Sequence, residues 1–224
     1  MSDATTQTYP LALYSVEAFK RRKKRYLKLK RIFDIAVSGA ALILLSPLLL
    51  LVTLFIRLDS KGPALFYQKR IGRYGVPFYM CKFRSMYSDA EQRKAALMKH
   101  NEMKNGVLFK MKNDPRVTRM GRFIRKYSID EMPQLWNVLR GDMSLVGPRP
   151  PLPDEVAQYT RYQYQRLMVT PGITCIWQVS GRSELCFSKQ VELDLRYIAN
   201  QSFGKDIALL LMTIPAVLKA KGAY

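Results

Sequence analysis

Ile35 to Ile56 reads IAVSGAALILLSPLLLLVTLFI without a single charge, and no other stretch limits the fold as strongly. At about 1.5 Å per residue, a straight helix over it is about 33 Å long, just enough to cross the roughly 30 Å hydrocarbon core of a bilayer. It starts too far from the N-terminus, is too long and lacks a convincing cleavage site for a secretory signal. Two features argue against a plain span. Ser46-Pro47 falls mid-run, where the proline removes a backbone hydrogen bond and crowds the carbonyl of Ile43. Ser46 is expected to bond back to Leu42, which makes a break tolerable in lipid. Both flanks are also basic: Lys20 to Arg25 reads KRRKKR, then come Lys28, Lys30 and Arg31, while Arg57, Lys61, Lys69, Arg70 and Arg73 follow the run. Positive residues favour the cytoplasmic side. The favoured reading is therefore a re-entrant helix that breaks at Ser46 and Pro47 and returns, each half about 16 Å long. A through-span is the alternative.

The charge balance narrows the partners without choosing one. The 224 residues suit a single domain with a real core, and 37 Lys and Arg against 17 Asp and Glu give a net charge of +20. Nucleic acid, an anionic lipid bilayer and nucleotide phosphates all fit such a surface. The basic cluster before the apolar run can attract acidic headgroups; residues 1–15 read as a solvated tail. Cys81, Cys175 and Cys186 have neither metal-ligand spacing nor an even disulfide count, so they read as reduced thiols in a cytosol-facing domain. The one histidine, His100, reads as a surface residue, which argues against a catalytic His or a His-based zinc site. There is no phosphate-binding P-loop and no dinucleotide fingerprint.

Beyond the run, Ala64–Lys69 and Val76–Phe83 read as strands of a β-hairpin around Gly72-Arg73-Tyr74-Gly75. Ser88-Asp89-Ala90-Glu91 signals the start of a polar helix to about Lys104, stopped by Gly106. Pro150, Pro151 and Pro153 force an extended connection. Helices are expected from Asp154 to Leu167 and from Glu184 to Ala199. The tail from Asp206 to Lys219 reads as an apolar helix at the membrane interface, with a buried core helix as the alternative.

The densest chemistry lies in Ser128 to Pro150, SIDEMPQLWNVLRGDMSLVGPRP. Pro133 is tolerated in a first helical turn, so a helix is expected to begin near Asp130, with Asp130 and Glu131 at its N-terminus. There the free N–H groups favour both carboxylates and bound phosphate. An ionised Asp130 can attack phosphorus, and Glu131 can hold Mg²⁺ together with substrate phosphates. The plainer alternative is a Ser128–Glu131 capping box.

That block, together with Lys30-Arg31-Ile32-Phe33-Asp34, Lys82-Phe83-Arg84-Ser85-Met86, Pro171-Gly172-Ile173-Thr174, Trp177 to Arg182 and Glu192-Leu193-Asp194, closely resembles the bacterial sugar transferases. These are monotopic polyprenol-phosphate phosphoglycosyl transferases, and the segments occur in family order from about residue 30 to the C-terminus. The resemblance implies transfer of a sugar-1-phosphate, a hexose-1-phosphate first, from a UDP-sugar to undecaprenyl phosphate or another polyprenol phosphate. UMP is released, through an aspartyl-phosphosugar at Asp130. It implies Mg²⁺ at Glu131, with Asp130 as a second ligand, and substrate contacts from Lys82, Arg84, Arg125, Pro148, Arg149, Pro150, Arg182 and Asp194. Lys82, Arg84 and Arg125 would serve the acceptor phosphate, Arg149 the nucleotide, Arg182 a phosphate, and Asp194 an arginine or the metal. For each arginine the plainer alternative is a salt bridge.

The expected fold is mainly α with a small β-hairpin (α+β), in a monotopic membrane protein with interfacial amphipathic helices. Its parts are a basic tail and juxtamembrane helix at 1–30, the re-entrant helix at 31–58 and a catalytic domain at 59–224. The resemblance places it on the cytoplasmic face of the bacterial inner membrane and leaves room for a homodimer. Nucleic-acid binding and a non-catalytic membrane scaffold are the competing functions. The first leaves the apolar run unexplained, and the second leaves the intact acid pair unexplained. One departure stands out: Cys175 occupies a position where the family usually has glycine, which would strain the loop if that position needs positive φ.

Overall fold

A single helix, α1 (Leu13–Asp59), carries both the basic stretch and the whole apolar run, with Pro47 inside it. The structure is a computed structural model and describes residues 13–97, 111, 113–181 and 185–218, with the backbone alone for 13–22, 94 and 95. Pro47 deprives the Ile43 carbonyl of its helical donor, and Ser46 Oγ donates to that same carbonyl at 2.8 Å. The bond expected to Leu42 is thereby corrected, because the hydroxyl satisfies the acceptor that the proline frees. One stripe of α1 packs on the rest of the protein. Phe33, Val37 and Leu42 lie against the central core, while Val52 and Ile56 join Ala64, Phe83 and Ile124 in another. The opposite side is bare, with Ile43, Leu44, Leu50 and Leu58 each 70% exposed or more. Among the described residues, α1 is the one helix long and apolar enough to cross a membrane.

β1 (Leu65–Ile71) and β2 (Pro77–Phe83) form the expected hairpin, pairing Leu65 with Phe83 and Ile71 with Pro77. α2 (Ala90–Leu97) is the described part of the polar helix; its expected continuation to Lys104 and stop at Gly106 lie outside the described residues. Then come α3 (Arg119–Lys126), a 3-10 turn at Ile129–Glu131, α4 (Gln134–Arg140) and β3 (Ser144–Val146). In place of one helix from Asp154 to Leu167 stand α5 (Pro153–Val156), α6 (Arg161–Tyr164) and a 3-10 turn at Gln165–Met168. Thr160 is the reason. It forms a capping box with Gln163, accepting from its backbone N–H and donating its own to Oε1, so the chain restarts there.

β4 (Gly172–Thr174) pairs with β3 in parallel, a second small sheet that the sequence reading did not anticipate. α7 (Ile176–Ser180), α8 (Phe187–Asn200) and α9 (Phe203–Leu218) complete the fold. It is mainly helical with two small sheets. α9 docks on α1 through a buried polar knot, in which Tyr26, Lys30 and Tyr197 all donate to Asp206 at 2.7–2.8 Å. Asp206 and Leu209 are buried, whereas Leu211, Met212, Ile214 and Leu218 are exposed, which leaves an apolar flank on α9 as well.

Candidate active site

Ser128 sets the geometry of the acid pair. It takes a left-handed conformation (φ 55°, ψ 22°) and makes no side-chain cap bond, so the Ser128–Glu131 capping box does not form. α4 begins at Gln134 with Pro133 as its N-cap. Asp130 and Glu131 therefore lie on the 3-10 turn that precedes the helix, a correction to a helix starting at Asp130. Glu131 is left free to face across to Arg149, whose Nη1 donates to Glu131 Oε1 at 2.9 Å.

Arg149 is presented by the β3–β4 pair. Gly147 N donates to Thr174 O at 3.0 Å and Gly172 N to Pro148 O at 2.9 Å. The two backbones run so close that a Cβ on Gly147 would stand 2.5 Å from Thr170 O. Glycine is needed there for lack of space. Pro148 and Pro150 are buried in this turn, and prolines fix its φ angles, so Arg149 projects from a rigid support.

The hairpin supplies the opposing wall. Strand alternation and the register put Phe66, Gln68 and Arg70 on the face that carries Lys82. Gln68 Oε1 accepts from both Lys82 Nζ (3.3 Å) and Arg70 Nη2 (2.8 Å), while Arg70 Nη1 donates to Pro150 O at 3.0 Å. Burial, and then Arg70, push the Lys82 ammonium down to about 8. Burial, and then Arg149, push Arg70 down to about 10. Burial and the neighbouring Glu131 push the half-buried Asp130 up to about 6, opposed by Lys82, Arg125 and Arg149. Glu131 holds Arg149 above its ordinary range. Four cations thus face two carboxylates, and a bound phosphate group would relieve the repulsion among them.

Arg84 is not part of this cluster. Its Nη1 donates to Lys61 O at 2.7 Å, and its Nη2 to Ser60 O and Ile56 O at 2.6 and 3.3 Å. The guanidinium closes the C-terminus of α1, where helical carbonyls lack partners, and the expectation of an acceptor-phosphate contact is corrected accordingly. Asp194 is buried on α8 and accepts from Arg166 Nε at 2.8 Å, while Arg166 Nη1 donates to Tyr159 Oη at 2.7 Å. Burial pushes Asp194 up to about 6, opposed by Arg166. It orients an arginine, as the sequence reading allowed, and that arginine is Arg166. Arg182 lies outside the described residues. Cys175 has φ −150° and ψ 171°, extended backbone that any residue adopts, so it brings no strain; its Sγ donates to Gln178 Oε1 at 3.1 Å. The sequence reading missed Gln68, Arg70 and Arg166. For Gln68 and Arg70 the signal was present, since period-two alternation from Lys82 across the hairpin points to both.

Among the described residues no group of three or more His, Cys, Asp and Glu side chains gathers. The adjacent pair Asp130 and Glu131 nonetheless fits Mg²⁺, which typically takes one or two carboxylates and completes its octahedron with phosphate oxygens and water.

The family model described as bacterial sugar transferase matches residues 25–220. The chain is 45% identical over 220 residues to a galactosyl transferase CpsE of Streptococcus agalactiae, covering 98% of this chain and 48% of that protein. It is 44% identical over 207 residues to an undecaprenyl-phosphate galactose phosphotransferase of Salmonella typhimurium, covering 91% and 43%. It is 37% identical over 198 residues to the exopolysaccharide production protein ExoY of Rhizobium meliloti, covering 87% and 88%. The chain thus spans less than half of the first two relatives and most of the third.

Proposed function

Because the chain belongs to the bacterial sugar transferase family, we propose that it moves a hexose-1-phosphate from a UDP-sugar to a polyprenyl phosphate such as undecaprenyl phosphate, a first membrane step in making an exopolysaccharide or related glycan. The observation that carries this reading is the acid pair facing Lys82, Arg70 and Arg149 beside a helix with a bare apolar side. An Asp130 oxygen attacks the β-phosphorus of the donor; an O–P bond forms, the bond to the α-phosphate bridge oxygen breaks, and its electron pair leaves with UMP. An oxygen of the polyprenyl phosphate then attacks the same phosphorus, and the pair of the broken P–O bond returns to Asp130. Lys82, Arg70 and Arg149 offset the charge of the approaching phosphates, the dominant requirement in phosphoryl transfer. Mg²⁺ held by Glu131, with Asp130 as a second ligand, would add charge neutralisation on the phosphate oxygens. In this reading α1 enters and leaves the bacterial inner membrane from the cytoplasmic face, with α9 at the interface.

The test is UMP release from a panel of UDP-sugars, with and without polyprenyl phosphate, coupled to trapping with labelled donor. The expected result is a donor-dependent burst of UMP and an adduct at Asp130, both absent in Asp130→Asn. Turnover without label at Asp130 would overturn the mechanism.

A further inference from the structure

We propose that a cavity of about 200 Å³ beside the acid pair, between α1, α7 and α9, holds the isoprene units nearest the phosphate of the polyprenyl acceptor. The assignment rests on the acceptor being a polyprenyl phosphate, as proposed above. One end of the cavity is the catalytic turn itself, through Ser128, Glu131 and Met132. The other walls come from Leu45, one residue before Ser46-Pro47, from Val179 of α7, and from Ala216 and Val217 of α9.

Its chemistry suits a sugar or a nucleotide poorly. Most of the polar side chains along it, Ser128 apart, already have partners: Thr213 donates to Leu209 O at 2.7 Å, so Thr174 is the donor in the 2.8 Å bond between the two threonines. Gln178 Oε1 accepts from Cys175, and Glu131 Oε1 from Arg149. What remains is an apolar lining, which favours hydrocarbon over a polyhydroxy ligand. The volume is below the roughly 300–1,000 Å³ of pockets that enclose a whole small molecule, so it suits one end of a longer chain. The route for the remainder is on the surface. Leu211, Met212, Ile214 and Leu218 of α9, and Ile43, Leu44 and Leu48 of α1, are exposed apolar residues on the helices that line the cavity. A chain anchored there carries its phosphate towards Asp130 and its tail into lipid. A phospholipid acyl chain has the same apolar character but brings no reactive phosphate to Asp130.

Two measurements on the full chain in nanodiscs test the assignment. The first is photolabelling with an isoprenyl phosphate that bears a diazirine on its first isoprene unit. Label is expected on the peptide holding Ala216 and Val217, displaced by unlabelled polyprenyl phosphate and not by phosphatidylglycerol. The second is kinetics of Ala216→Phe and Val217→Phe, which fill the cavity. The acceptor KM is expected to rise about tenfold or more, as for a misfit in an apolar pocket, while the KM for the UDP-sugar in the acceptor-free UMP burst does not move. Label confined to other peptides, displacement by phosphatidylglycerol, or an unchanged acceptor KM in both variants would overturn the subsite while the burst still supports the transfer reaction. A wild-type protein without the burst would overturn the reaction and the subsite with it.

Discussion

Arg70 sits at the centre of the cation cluster with a guanidinium that, among the described residues, has no carboxylate bonded to it. Its Nη atoms hold Gln68 and the Pro150 carbonyl, and its Nε has no hydrogen-bond partner among the described residues. A buried guanidinium flanked by Arg149 and Lys82 is costly until an anion joins it. Arg70→Lys keeps the charge and loses the planar fork. Loss of charge-assisted bonds worth about 1.5–3 kcal/mol should lower kcat/KM for the UDP-sugar roughly 10- to 100-fold. Steady-state kinetics beside an unchanged thermal midpoint would check this; an unaltered kcat/KM would remove Arg70 from the site. Lys82 gives a pH signature. Its ammonium is pushed down to about 8 by burial and then by Arg70, so the charged form that binds phosphate is lost as pH rises through that value. The kcat/KM for donor should therefore fall above about pH 8. In Lys82→Arg, whose cation persists, that alkaline limb should disappear. A limb that stays in place in the variant would assign it to another group.

At the scale of elements, Arg84 joins α1 to the strand that carries Lys82, two residues away. It fills three carbonyls at the helix end, and Asp59 accepts from Met120 N at 3.0 Å on the same corner. Arg84→Ala leaves buried carbonyls without donors, at about 1–3 kcal/mol for such a group. A thermal midpoint lower by several degrees is expected, with donor KM moved less than in Arg70→Lys; the reverse order would return Arg84 to the substrate. The hairpin was legible in sequence because it has a local cause, glycines at a turn between two alternating strands. The β3–β4 pair was not, because Ser144–Val146 and Gly172–Thr174 are too short for alternation to register and meet across a long stretch of chain. The placement of Asp130 failed for a related reason. Ser128 adopts φ 55°, a left-handed conformation that a serine in such a string does not announce. Arg84 was misread because alternation alone would return it to the face of Lys82, whereas β2 ends at Phe83 and the carbonyls at the end of α1 claim the next side chain.

At the scale of the whole molecule, the two ends of the apolar run are both tied down. Near its start, Lys30 pairs with Asp206 at 2.8 Å, Arg31 donates to Val138 O and Leu139 O, and Leu145 N donates to Asp34 Oδ1. Near its end, Asp59 and the Ser60 carbonyl are held by Met120 and Arg84. Both sets of partners belong to one continuous domain. A through-span would carry one set across the bilayer, and breaking the buried Lys30–Asp206 pair alone costs about 3–5 kcal/mol. Both ends are therefore expected on one side. In a Cys186→Ser background, since Cys186 is the exposed thiol, Lys28→Cys and Lys61→Cys should react with an impermeant maleimide from the same face of sealed vesicles. Labelling from opposite faces would make α1 a span and undo the re-entrant reading. Salt separates the remaining contributions. The net charge of +20 acts on headgroups over a Debye length that shrinks to about 3 Å at 1 M salt. The bare side of α1 acts through hydrocarbon burial, which salt does not weaken. Washing membranes with high salt should thus leave the protein bound, whereas detergent should release it. Release by salt alone would mean that the basic surface, and not the apolar helix, holds the protein there.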